Sequence, residues 1–128
     1  MPPEITHCVD AALDKKAEDV VVLDLRNISD VTDFFVICHA TSDRQALTIA
    51  DHVEERLARD LGVKPKSIEG RRRGEWILMD YIDFVVHVFT RDKRSFYGLE
   101  KLWADAPRLD IAPAGSTGGT KRSRPARR

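Results

Sequence analysis

Cysteine is scarce in this chain of 128 residues: Cys8 and Cys38 are its only two. They lie far apart and show no Cys-x-x-Cys spacing. This argues against a disulfide-stapled scaffold or a thiolate metal site, and predicts two buried thiols in a reducing compartment. Long hydrophobic runs are missing as well. None approaches the roughly 20 residues a membrane helix requires. The opening Met1-Pro2-Pro3-Glu4-Ile5 has neither a basic n-region nor an apolar h-region. The expectation is a cytoplasmic protein with no membrane partner. Net charge is also lacking, at +0 with 21 basic and 21 acidic residues.

Metal and catalytic signatures are equally thin. His7, His39, His52 and His87 form no His-x-x-x-His or His-Glu-x-x-His pattern. Asp80 and Asp83 could make a metal-binding carboxylate pair like that of a nucleotidyltransferase. Such a site needs further acids and a Gly-rich phosphate loop. The second helix starts instead after Ala40-Thr41-Ser42. The residues predict no catalytic constellation, no metal site and no cofactor.

What the chain does have is 42% hydrophobic and 33% charged residues, enough for one packed domain with a solvated surface. The zero net charge conceals an asymmetry. Five bases (Lys121, Arg122, Arg124, Arg127, Arg128) and no acid fall in the last eight residues. Without them, residues 1–120 hold 16 bases against 21 acids, a net −5. Such a body is a poor general nucleic-acid binder and suits a basic protein surface better. Residues 107–128 are rich in Gly, Pro and basic side chains, and are expected to be a disordered basic tail able at most to touch RNA weakly. The domain is expected to span residues 1–106.

Within that domain, Ile5, Val9, Ala12 and Leu13 recur at helical spacing behind Pro2-Pro3-Glu4. Val20 to Leu25 and Phe34 to Cys38 read as buried strands. Ser42-Asp43-Arg44-Gln45 is a capping box, followed by the stripe Ala46, Ala50, Val53, Leu57, Leu61 and a stop at Gly62. Residues 63–74 are polar, with the basic run Arg71-Arg72-Arg73 read as a solvated loop. Two more strands, Glu75 to Tyr81 and Ile82 to Phe89, precede a short helix in which Phe96, Leu99, Leu102 and Trp103 are expected to pack back on the body. The order predicts a single α/β (α+β) domain, with helices packed on one face of the sheet.

The last strand pair carries the candidate binding face. If Asp80 and Asp83 oppose each other across a tight turn, alternation puts Ile77, Met79, Phe84, Val86 and Val88 on one apolar core face. The other face then holds Trp76, Leu78, Asp80, Asp83, Val85 and His87. Large apolar groups mixed with acids suit an interface, unless Trp76 and Leu78 lie under the closing helix. The expected partner-binding residues are Trp76, Leu78, Asp80, Tyr81 and Asp83. An apolar face left uncovered in the free protein also predicts a homodimer.

Several segments together resemble the ribosomal silencing factor (Iojap-like) family. They are Thr32-Asp33-Phe34-Phe35-Val36-Ile37, Thr41-Ser42-Asp43-Arg44-Gln45, Glu69-Gly70, Gly74-Glu75-Trp76, Asp80-Tyr81-Ile82-Asp83, Val85-Val86-His87-Val88-Phe89 and the run from Phe96 to Trp103. The resemblance extends from about Ile5 to Ala106. It departs at Ile82, where the family often has Gly, and from Pro107 onward. It implies a mixed sheet like a reduced nucleotidyltransferase palm, without that enzyme's activity. It further implies a translation repressor that binds the fourteenth protein of the large ribosomal subunit and blocks joining of the small subunit under nutrient limitation. The alternatives are a large-subunit assembly factor acting in ribosome biogenesis, or an enzyme using Asp80 and Asp83.

Overall fold

Residues 1–111 are described by the computed structural model. In chain order the elements are α1 (Pro3–Asp14), β1 (Glu18–Asp24), β2 (Phe34–Ala40), α2 (Asp43–Leu61), β3 (Ser67–Glu69), β4 (Trp76–Asp80), β5 (Phe84–Thr90), α3 (Arg91–Tyr97), α4 (Leu99–Leu102) and β6 (Arg108–Asp110). The six strands form one mixed sheet in the order β3-β4-β5-β2-β1-β6. Only β2 and β5 run parallel, and they are neighbours, so α2 and the β3–β4 hairpin make the crossover between them.

The capping box forms and does more than end a helix. Ser42 Oγ accepts the Gln45 backbone N–H at 3.1 Å. The Gln45 side-chain oxygen accepts from the Thr41 backbone N–H at 2.9 Å, and its amide nitrogen donates to the carbonyls of Lys15 and Lys16 at 3.2 and 3.1 Å. One side chain thereby ties the start of α2 to the end of α1. At the far end of α2, Gly62 takes φ 67°, the left-handed geometry that closes a helix at little steric cost. The α1 stripe and Ala46, Ile49, Ala50, Val53 and Leu57 of α2 bury the first sheet face, together with Ile77, Met79, Phe84, Val86 and Val88. Cys8 and Cys38 are free thiols within this core. Burial raises the pKa of both.

Two strands escaped the sequence. Ser67–Glu69 pairs with β4 inside the stretch read as a polar connection. Arg108–Asp110 pairs with β1, beyond the expected domain end at Ala106. The sheet therefore continues into the segment assigned to the tail, and the expectation for residues 112–128 lies outside the described residues. The two long helices share one face as expected, while the short α3 and α4 stand on the opposite face. There Val21, Leu23, Leu25, Ile37, Phe89 and Ala106 form a second, smaller core.

The turn between β4 and β5 also differs from expectation. Asp80 pairs with Val85, not with Asp83. That is a slip of two residues, which leaves every side chain on its expected face because the strand period is two. It does move Tyr81 into the ladder, with its N–H donated to the Phe84 carbonyl at 2.9 Å.

Candidate partner-binding face

The second face is only partly roofed by α3 and α4, and a ribbon of rings crosses it. Phe96 meets Tyr97 edge-on at 5.1 Å, and Tyr97 lies 4.4 Å from Trp76. Trp76 stacks on Phe89 at 5.1 Å and donates its indole N–H to His87 Nδ1 at 3.0 Å. His87 then meets Phe35 at 4.5 Å, and Phe35 meets Trp103 at 5.8 Å. The expectation that Phe96 and Leu102 pack back on the body fails. They are 75% and 74% exposed, whereas Leu99 and Trp103 pack on the small core. Helical periodicity identified the apolar side chains without saying that α3 and α4 are too short to bury all of them.

The expected site residues divide. Trp76 and Leu78 are half-buried on this face, with Leu78 opposite His87 across the strand pair. Asp80 is half-buried next to them, and its carboxylate accepts the Ile82 N–H at 2.8 Å. Asp83 is exposed in the turn. Tyr81 leaves the group: it is buried in the main core, its ring stacked on Phe84 at 4.7 Å. Its backbone continues the alternation past Asp80, which turns the side chain to the helical side of the sheet. Phe96, Tyr97 and Leu102 were missed as surface groups.

His87 is buried, and burial holds its pKa down at about 3. With Nδ1 accepting from Trp76, the neutral ring carries its proton on Nε2. That nitrogen has no hydrogen-bond partner among the described residues.

Arg94 fastens α3 to the sheet. Its guanidinium donates to both carboxylate oxygens of Glu100 at 2.9 and 3.1 Å. It also donates to the Asp19 carbonyl at 2.7 Å and to His39 Nδ1 at 3.0 Å. The Asp19 carbonyl lies where the β1–β2 register shifts, between Glu18 and Val21. Burial raises the Glu100 carboxyl, but hydrogen bonds and charge from Arg94, with the charge of Arg108, outweigh this and leave it below its ordinary value. Burial, then the Arg94 charge, lower His39. In the basic loop, Arg71 is paired with Asp51 and Glu54, and Arg72 is exposed. Among the described residues, no group of three or more His, Cys, Asp or Glu could hold a metal ion. No helix there is long and apolar enough to cross a membrane.

The sequence pattern of the family described as "Ribosomal silencing factor during starvation" matches residues 1–128. The match takes in the stretch past Pro107 that had looked foreign to the family. The ribosomal silencing factor of Halalkalibacterium halodurans is 47% identical over 103 residues, covering 80% of this chain and 87% of that protein. That of Bacillus subtilis is 48% identical over 98 residues, covering 77% and 82%. A crystal structure of a Chromobacterium violaceum protein superposes with a TM-score of 0.75 at 31% identity, covering 78% of this chain and 82% of that one. With a family pattern over the whole sequence, close relatives over most of it and a shared fold, the chain belongs to the ribosomal silencing factor family.

Proposed function

We propose that this protein is a non-catalytic, cytoplasmic repressor of translation. It docks on the large ribosomal subunit through its second sheet face and occupies space that the small subunit needs. The half-open ribbon of rings carries this reading: Phe96 and Tyr97 are exposed and Trp76, Phe35 and Trp103 half-buried over the buried Phe89 and His87, and accessible aromatic rings are what a protein interface uses for anchors. Acids stand at its border in Asp80 and Asp83, and residues 1–120 carry net −5, which favours a basic partner. The fourteenth protein of the large subunit is that partner, engaged by Trp76, Leu78, Asp80 and Asp83, with Phe96, Tyr97 and Leu102 now added. Tyr81 acts from beneath by holding the turn. Blocking requires only overlap with the incoming subunit, so no reacting group is called for. When free, the same apolar face pairs with a second copy.

Purified protein should co-sediment with isolated large subunits and not with small ones. Phe96→Asp and Leu102→Asp should each weaken binding by about 30-fold or more, since a charge would be buried at an apolar contact. Their exposure predicts melting close to that of the unmodified protein. Equal pelleting with both subunits, or two folded variants that bind as before, would remove the proposed face.

A further inference from the structure

The β4–β5 connection ends in an arrangement that the fold alone does not favour. Asp83 donates its N–H to the Tyr81 carbonyl at 2.9 Å, closing a three-residue turn around Ile82. Ile82 has φ 74°, the left-handed region that a β-branched side chain avoids and glycine enters freely. The turn is held there on purpose-built contacts: Asp80 caps the Ile82 N–H at 2.8 Å, and Tyr81 is locked into the core. Yet the side chain that causes the strain makes little use of the protein, being 58% exposed. This position loses stability through its backbone and again by leaving apolar surface in water.

It is not isolated. The Asp33 N–H donates to the Asp83 carbonyl at 2.9 Å, tying the loop between β1 and β2 to this turn. That loop exposes Ile28 and Val31, the latter 85% exposed, more than any other large hydrophobic among the described residues. Residues 24–34 and 80–85 carry five acids (Asp24, Asp30, Asp33, Asp80, Asp83) and one base. That base, Arg26, is already paired with Asp24 at 2.7 Å. Aliphatic side chains in an acidic setting match an apolar recess on a basic protein surface.

We propose that Ile82, together with the exposed Val31 of the loop tied to its turn, is a second anchor for the basic protein that the aromatic face engages, entering an apolar recess rimmed by Lys or Arg. The proposal rests on the docking reading above and extends that surface around the turn end of the sheet. The strained turn keeps the isoleucine outside the core and pointing away from it, so binding recovers apolar burial that folding does not. Val31 widens the same contact, and Asp33 and Asp83 meet the rim.

Two substitutions separate strain from contact. Ile82→Gly removes both the strain and the anchor; Ile82→Ala removes the anchor and keeps the positive φ. In the full chain, Ile82→Gly should raise the melting temperature by a few degrees and Ile82→Ala should not. Both should weaken co-sedimentation with large subunits by about tenfold, the loss expected for a modest aliphatic anchor. Wild-type affinity in Ile82→Gly, alongside lost affinity in Leu102→Asp, would overturn this anchor while leaving the aromatic face in place. No rise in melting for Ile82→Gly would overturn it too, because the turn would then store nothing. Absence of large-subunit binding by the unmodified protein would instead defeat the docking reading, and the anchor with it.

Discussion

Trp76 gives its indole N–H to His87 and its ring to Phe89 and Tyr97. It is therefore both an interface candidate and a support for the small core, and truncating it would disturb the fold before it reported on binding. The exposed Phe96 and Leu102 are cleaner probes. The burial of His87 also has a consequence in acid. The His87 pKa is about 3 and that of His39 is lowered as well, against an ordinary 6.5. A group with a depressed folded value binds its proton more readily when unfolded. The stability it contributes is complete above about pH 6.5 and is lost as pH falls toward the folded value. Glu18, Asp24, Asp60 and Glu100 also have lowered values, but they act near and below their ordinary 3.8 to 4.5. Urea unfolding should therefore show stability falling between about pH 6.5 and 5, where the histidines dominate. His87→Phe should flatten that limb while costing stability at neutral pH, where Trp76 loses its acceptor. An unchanged slope would mean that His87 is accessible to protons in the folded state.

At the scale of elements, what could be read from the sequence follows how local the chemistry is. Ser42, Gln45 and Gly62 mark both ends of α2 through contacts within a few residues, and the α2 stripe repeats over several turns. The face holding Trp76, Leu78 and Asp80 was legible because alternation survives a slip of two. The turn was not, since Asp80 capping Ile82 and Tyr81 stacking on Phe84 are choices that alternation cannot rank. β3 and β6 have three residues each and no alternation to detect, and β6 pairs with β1, far back in the chain. The attachment of α3 was hidden for the same reason: Arg94 reaches Asp19 and His39, which lie far back in the chain. This clamp sets the position of Phe96 and Tyr97. Arg94→Met keeps the stem but strands Glu100, the Asp19 carbonyl and His39. The cost should be about 2–3 kcal/mol, below the 3–5 typical of a deeply buried pair because Arg108 still faces Glu100 at 3.1 Å. Hydrogen exchange should quicken in α3 and α4 and stay slow in α2. Equal loss of protection in both regions would make Arg94 part of the global fold instead of a local fastening.

For the whole molecule, the two sheet faces are unequal: the long helices seal one, and the short pair leaves the other half open. Stability is concentrated on the sealed side, and so is the consequence of where the domain ends. Removing residues beyond Ala106 would strip β6 from β1, including the bond from the Ile111 N–H to the Val20 carbonyl at 2.9 Å. It would also uncover the main core that Leu109 and Ile111 pack against. Two half-buried aliphatic side chains and several ladder bonds together should be worth about 2–4 kcal/mol. A chain ending at Ala106 should accordingly melt well below the full protein, whereas one ending at Ile111 should melt with it. The second truncation also isolates the five bases at positions 121–128, all of which it removes. If they touch ribosomal RNA, the affinity lost on deleting them should be largest at low salt and shrink as salt rises, because phosphate contacts act through counterion release. The apolar contacts of the sheet face should keep their strength over the same range. Co-sedimentation of the full chain and the 1–111 form across a salt series reads both effects. A gap between them that stays constant with salt would rule out a phosphate-binding role for the basic end, and equal melting of the 1–106 and 1–111 forms would return the domain boundary to Ala106.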